Sequence, residues 1–554
     1  MKFPAAIFLF GTLTLTLAAQ SPDSLTPSDD PVALLLPQSG EEVLLPSLKA
    51  VVLLPTASAV DDESWRRATG IDATRVPGLQ SEALVRELKP FLGRPVSMGS
   101  LDRLQGVIRL HLQFIGRPFA RVYAPPQDIT EGVVGIVVQL ATLDGDVRLD
   151  GNKWFARERY TGVLSARPGE AFDAAAFNAD LAWLNRNPFT RVTPVIEAGE
   201  QPGTTRVTLR AEERVPFSFT AGYDNTGTKT TDEDRVSASI QWGNAFGRGD
   251  LLSYRLGGDP NFEHMRSHSG SYTAFLPWRH VFTLQASYSD IESVMPLPFT
   301  QGGTSWQVGA RYEIPLAAPR AGWTQSLSFT ADFKYSDNTL EFATIPITDN
   351  VTHIAQVGVS YQLTFPALGG QNSLRAEAVA SPGGLTDYND DTAFDGSRLG
   401  AKATYAYGRV GLRHEHALAG QWVLVVSGDA QFSTDALLGS EQLNGGGSSA
   451  VRGYRENSAF GDWGIVATAE VHAPGFAVFK GRDRADVFAF LDGASLRLHK
   501  DHDGTDLASA GLGVNYYFGR HFSLRAAYGW QLKAIDSSRG NYSGHGHVSA
   551  NVSF

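Results

Sequence analysis

From residue 215 to residue 554, apolar and polar side chains alternate in segment after segment. Phe522, Leu524, Ala526, Tyr528, Trp530 and Leu532 share one face of an extended chain, and Ser523, Arg525, Ala527, Gly529 and Gln531 share the other. Val215, Phe217, Phe219, Ala221 and Tyr223 repeat the pattern, and Val548, Ala550, Val552 and Phe554 stand opposite Ser549, Asn551 and Ser553. About sixteen such segments can be marked: 215–225, 235–244, 249–258, 267–277, 281–290, 303–315, 322–336, 350–364, 371–381, 396–413, 418–431, 462–474, 484–494, 507–518, 521–534 and 543–554. Connections after odd strands are long and those after even strands mostly short. Long loops outside and short turns inside, between alternating strands of roughly ten residues, are the pattern of a transmembrane β-barrel of the outer-membrane kind. A soluble β-sandwich explains neither the number of alternating segments nor the loop asymmetry. An even strand number returns both ends of the barrel to the periplasmic side.

The first 213 residues read differently. "MKFPAAIFLFGTLTLTLAAQ" has a basic end at Lys2, an apolar run and small residues at Ala18 and Ala19, the pattern of a signal peptide over 1–19. Residues 20–46 read as a mostly irregular linker rich in Ser, Pro and Asp. Then a motif repeats: Pro118-Phe119-Ala120-Arg121-Val122 returns as Pro188-Phe189-Thr190-Arg191-Val192. Leu101, Leu104, Ile108 and Ile115 mark a helical face before the first copy; Phe177, Leu181 and Leu184 mark one before the second, with Asp173 as a cap. The repeat predicts two small α+β modules, 47–141 and 142–213, ahead of a barrel over 214–554. The expected fold is therefore mainly β.

Composition removes several functions. The chain has no cysteine, which excludes disulfides and thiolate metal sites. Formal net charge is −11 with no basic tract, so nucleic acid is not an expected partner. No GxxxxGK[ST] phosphate loop occurs. His414-Glu415-His416, expected in a short turn, lacks the spacing of a zinc hydrolase, and Asp387, Asp390 and Asp391 read as a solvated loop cluster. His545 and His547, two apart on one strand face, read as lumen-facing polar residues. No catalytic residue, cofactor or metal is expected.

"NGGGSSAVRGYRENSAFGDWG", residues 444–464, falls in the sixth and longest outer loop. Glycines at 445–447 mark flexibility, yet Val451-Arg452-Gly453-Tyr454 is too specific for a linker. "APPQDITEGVVGIVV" at 124–138 contains Pro125, Gln127, Asp128 and Gly132. "LNRNPFTRVTPVIEAGEQPGTTRVTL" follows at 184–209, then "YDNTG" at 223–227 and "WGNAFGRGD" at 242–250. In this order and spacing the motifs resemble the two-partner-secretion outer-membrane transporters, the TpsB type (ShlB/FhaC/HecB), in which a signal peptide and two POTRA modules precede a sixteen-stranded barrel. The resemblance implies that the sixth loop folds inward and that Arg452 pairs with an aspartate on the thirteenth strand in a Phe-x-Asp pattern. Phe490-Leu491-Asp492 matches, and an apolar outer face at Val487, Ala489 and Leu491 turns Asp492 inward. Terminal Phe554 is the expected C-terminal assembly signal. Some relatives fill the pore with an N-terminal helix, but "PVALLL" is short and Pro37 ends it.

The function so implied is secretion of an unfolded partner polypeptide of the haemagglutinin or haemolysin kind, carrying a TPS-type secretion domain. The POTRA modules would bind it in the periplasm, at sheet edges expected in 119–124, 133–140 and 206–212. Outer-membrane lipid and the barrel assembly machinery are the further implied partners, and the chain is expected to be a monomer. Rival readings are a barrel-assembly insertase of the same superfamily, and a passive porin or surface adhesin.

Overall fold

Strands that are apolar on one face must pair at both edges before that face can meet lipid. In the computed structural model this requirement is met by closure. The structure describes residues 41–554 apart from 202, 297, 321, 343–344, 480, 500–503 and 536–542. The signal peptide and most of the 20–46 linker lie outside the described residues. Antiparallel neighbours in chain order form a closed barrel. Its strands are Phe217–Asp224, Arg235–Ala245, Asp250–Gly258, Met265–Phe275, Val281–Ser293, Phe299–Leu316, Thr324–Phe342 and Ile345–Ala367, then Gly370–Pro382, Thr404–Ala417, Val423–Ser433, Trp463–His472, Asp483–Arg497, Gly504–Phe518, Phe522–Gln531 and Gly544–Ser553.

The first and sixteenth strands make the seam, from Thr220 opposite Ser553 to Asp224 opposite Ser549. Phe554 extends it: its backbone N–H donates to the Phe219 carbonyl at 2.9 Å and its carbonyl accepts from Phe219 N–H at 3.1 Å. No described helix is long and apolar enough to cross a membrane; the crossing elements are strands. Closed pairing should make the protein SDS-resistant at room temperature, with a mobility shift after boiling. Identical migration before and after boiling, or recovery as a soluble periplasmic protein, would remove the closed barrel.

Three barrel features depart from the pattern read in sequence. In 337–349, expected as a long loop, residues 337–342 and 345–349 extend the seventh and eighth strands, which stay paired as far as Phe342 and Ile345. Each added antiparallel pair satisfies further backbone groups, so a started hairpin grows where its side chains permit. The tenth strand, expected from 396, begins at Thr404 because Asp391–Ser397 is a helix. Asp390 caps it, accepting from Ala393 N–H at 2.8 Å, and Phe394 is buried against Ile354, Tyr405 and Leu437. Asp391 is also engaged, accepting from Ala403 N–H at 2.9 Å, so this acidic cluster is partly structural. His414 and His416 lie inside the tenth strand, not a turn, and His414 meets Asn372 Oδ1 at 2.9 Å.

Ahead of the barrel, Val43–Leu45 is a strand paired with Val96–Ser97, so the linker is ordered at its end. A four-stranded sheet follows in the spatial order Gly70–Asp72, Ala50–Leu54, Val133–Gln139, Arg121–Tyr123. The helix Met98–Phe114 buries Leu101, Leu104, Ile108 and Leu112 in the same core as Val51, Leu53 and Ile136. In the next sheet Thr204–Glu213 pairs with Thr142–Leu143 and Arg148–Asp150 in parallel and with Thr190–Ala198. The helix Ala174–Leu184 precedes Thr190–Ala198 in sequence. These pairings correct two expected sheet edges. Val133–Gln139 and Thr204–Glu213 are interior strands with neighbours on both sides. Alternation alone does not distinguish a central strand from an edge. Arg121–Tyr123 does lie at an edge.

Candidate functional site

The sixth loop joins the strands Val423–Ser433 and Trp463–His472 and turns into the lumen. Two glycines with positive φ, Gly447 at 120° and Gly453 at 88°, bracket the inserted segment. Gly453 lies against the fifteenth strand: a Cβ there would meet the Gly529 carbonyl oxygen at 2.8 Å. The Gly453 carbonyl accepts from Gln531 Nε2 at 2.7 Å. Val451 and Tyr454 are fully buried, packed with Ala494, Leu496 and Leu507 of the wall.

Arg452 is 3% exposed. Its Nε donates to Asp492 Oδ2 at 2.8 Å and its Nη2 to Asp492 Oδ1 at 2.7 Å, a two-pronged fork, and its backbone N–H donates to Oδ2 at 3.0 Å. Its Nη1 donates to Glu470 Oε1. The Phe490 ring lies beneath the guanidinium, centroid 3.6 Å from Cζ. Asp492 and Phe490 face inward together because they are two apart on one strand, and the twelfth strand places Glu470 opposite Phe490.

Glu470 extends the cluster. Arg525 Nη2 donates to its Oε1 at 2.8 Å, and His472 Nε2 is 2.9 Å from its Oε2. His472 Nδ1 is in turn 3.0 Å from Asp486, which accepts from Asn515 Nδ2 at 2.9 Å. Sequence reading missed Glu470, Arg525, His472 and Asp486; their one signal was inward parity on the twelfth, thirteenth and fifteenth strands. Tyr454 is held on the wall away from the Arg452 fork. Its hydroxyl shares its one proton between the Ala508 carbonyl, at 3.0 Å, and the Lys533 carbonyl, and accepts from Ala508 N–H at 3.2 Å. It pins the loop to the fourteenth strand, and Phe490 takes the place under the arginine.

The loop has two further buried attachments. Glu441, 1% exposed, accepts from Lys334 Nζ at 2.5 Å and from the Tyr407 hydroxyl at 3.0 Å. Asp462, fully buried, takes a second arginine fork from Arg398 at 2.5 and 2.7 Å, plus backbone N–H groups of Leu437 and His499. The expected lumen pair His545 and His547 sits on the sixteenth strand with ring centroids 4.8 Å apart. Among the described residues no three histidine or carboxylate side chains could hold a metal ion.

Residues 125–132 form a turn device. Gln127 Nε2 donates to the Gly135 carbonyl at 2.6 Å and Gly135 N–H donates to Gln127 Oε1 at 2.7 Å, so the amide stands in for a strand partner where Arg121–Tyr123 ends. Asp128 accepts from Thr130 N–H at 2.9 Å and Oγ1 at 2.8 Å. Those bonds, the backbone one first, hold its carboxyl below the usual carboxylate range. Gly132 has φ 91°, and Pro125 offers its carbonyl to Gln127 Nε2 at 3.1 Å.

Residues 147–165 and 178–195 belong to one compact unit with the barrel. Within it Asp180, fully buried, accepts from Arg279 in the turn after the fourth barrel strand, and Arg279 Nη2 also donates to the Val163 carbonyl at 2.7 Å. Asn187 Nδ2 donates to the carbonyls of Gly243 and Gly249 at 2.7 and 2.8 Å. Val163, Asp180 and Asn187 are thus bonded to barrel residues Gly243, Gly249 and Arg279 within that unit.

Comparison with known proteins agrees with this architecture. Residues 68–139 match the POTRA domain, ShlB-type. The chain is 26% identical over 427 residues to the outer membrane transporter CdiB of Dickeya dadantii, covering 74% of this chain and 73% of that one. It is 23% identical to the heme/hemopexin transporter protein HuxB of Haemophilus influenzae, covering 70% and 69%. The solved structure of CdiB from Escherichia coli superposes with a TM-score of 0.79 at 20% identity, over 96% of this chain and 94% of that one, a likeness of fold. Residues 203–516 match the family described as haemolysin secretion/activation protein ShlB/FhaC/HecB, and with more than half its length matched the chain belongs to that family.

Proposed function

We infer that the chain recognises an unfolded partner polypeptide with its periplasmic modules and passes it through the barrel. The protein is an outer-membrane transporter of two-partner secretion, with its POTRA region in the periplasm. The observation that carries the finer reading is the buried Arg452 fork on Asp492, which fixes a long loop inside the lumen of a closed barrel. A passive porin has no use for such an anchor or for two modules at its periplasmic end. We read Val451, Arg452, Gly453 and Tyr454 as the segment that sets the loop's secretion-competent position, with Asp492 and Phe490 as its wall partners. Pro125, Gln127, Asp128 and Gly132 shape the first module and do not themselves touch substrate. Phe554, which completes the seam, serves as the assembly signal read by the barrel assembly machinery.

The domains of this reading are 1–19, 20–46, 47–141, 142–213 and 214–554. The partner carries a TPS-type secretion domain and adds a strand at an open sheet edge, Arg121–Tyr123 being the one that survives in the first module. The transporter works as a monomer in outer-membrane lipid, without cofactor or catalysis. Folding of the cargo outside supplies direction. Deleting 47–141 should abolish secretion of the partner while the barrel still inserts and stays heat-modifiable. Undiminished secretion by the deletion would rule out recognition by the first module.

A further inference from the structure

The lumen is lined unevenly. Its wall over strands twelve to fifteen is charged and covered by the sixth loop: Phe488, Phe490, Asp492, Leu496 and Ser509 are all buried. The wall over strands seven to eleven is covered too, by Glu441 on Lys334 and by Phe394 in its apolar nest. Strands one to six are left open by the described residues. Strand register places Thr220, Ser239, Arg255, Ser269, Ser287 and Gln307 side by side in one row across them. The two flanking rows hold only serine, glutamine and glycine. The opposite parity carries the membrane-facing side chains, such as Phe217 stacked on Trp242, so these rows face the lumen. No side chain of the central row is buried, and a groove of about 450 Å³ runs along it.

We propose that the secreted polypeptide travels as an extended chain along this hydroxyl and amide wall of the first six strands. The proposal rests on the transport reading and names the path within it. An unfolded chain presents an N–H and a C=O at every residue and side chains of every kind. A charged wall would hold segments of opposite sign, and an apolar wall would hold apolar ones. Serine and threonine hydroxyls and glutamine amides both donate and accept, so they exchange bonds with a moving backbone as water does. Conduction needs binding strong enough to admit a substrate and weak enough to release it. Ser253 and Ser271 already bond across strands at 2.7 Å, and Arg255, the one charge in the three rows, is turned to Ser237 Oγ at 3.1 Å.

The test uses the full chain in a planar lipid bilayer and, as probe, a synthetic unstructured polypeptide of glycine, serine and lysine added on the periplasmic side. Entry is read as transient blockade of the ion current. Ser269→Glu with Ser287→Glu should lengthen each blockade by about tenfold, two exposed ion pairs acting together. Gln362→Glu, on the eighth strand, should leave it unchanged. Should the double variant fail to insert, Ser269→Cys is nearly isosteric and, in a chain without cysteine, a unique thiol. The probe should then slow its reaction with a methanethiosulfonate. Blockades indifferent to Glu at 269 and 287, equally sensitive to Glu at 362, or a thiol the probe does not protect would overturn the path and leave the transport reading standing. A wild-type pore that the probe never blocks would overturn both.

Discussion

Arg452→Ala is expected to cut partner secretion about a hundredfold at matched transporter levels. Removing one member of a buried ion pair leaves the other charged and unpartnered, at a cost of about 3 kcal/mol or more. Here that member is Asp492, 2% exposed, which takes three N–H donors from Arg452. Asp492→Ala should be as severe. Glu470→Gln should be milder, because Arg452 gives Glu470 a single bond and Arg525 and His472 remain beside it. Arg452→Lys keeps the charge but loses the fork and the flat contact on Phe490, so partial secretion is expected. The double variant Arg452→Ala/Asp492→Ala should be hardly worse than either single one, since both break one contact. Secretion of the partner, measured for all variants in cells with equal heat-modifiable barrel, decides the matter; fully additive losses would show the two residues acting separately.

Gly529→Val should give the same loss by another route. A Cβ on Gly529 would stand 2.6 Å from the Gly453 nitrogen and 2.8 Å from the Arg452 carbonyl carbon. Both atoms are backbone, with no flexible end to swing away. Gly529 has no positive φ, so valine suits its extended strand, and the loop, not the barrel, must yield. The sixth loop should leave its seat, carrying Arg452 from Asp492. Partner secretion should fall about as far as in Arg452→Ala, on the order of a hundredfold, and protease added to whole cells should newly cut within 445–455. A variant that secretes normally, with the loop still protected, would mean that the close approach of the two glycines is not needed.

Much of this was legible in the chain. A period of two survives any context, because side chains of a strand alternate whatever it pairs with. Hence the barrel class, the number and order of its strands and the inward parity of Phe490 and Asp492 could be read directly, though the bounds of the seventh, eighth and tenth strands could not. So could the helix over Leu101, Leu104 and Ile108, whose period of 3.6 allows one buried face. The Val451 to Tyr454 motif drew notice because specific residues sat among glycines.

Other features could be decided only by the tertiary structure. Register determines which strand places Glu470 opposite Phe490, and a one-residue slip would have turned it to lipid. The partners of Tyr454, the burial of Asp462 under Arg398 and the seating of Gly453 on Gly529 join residues tens of positions apart, through distances no local pattern contains. Interior and edge strands in the modules read alike in sequence, because pairing consumes backbone groups that every residue has. The helix at Asp391–Ser397 exists because Phe394 finds a pocket made by strands on either side of its loop. The sequence by itself determined that this chain becomes a barrel with an arginine in its sixth loop. The closed sheet decided what that arginine touches, because closure alone brings those side chains within bonding distance.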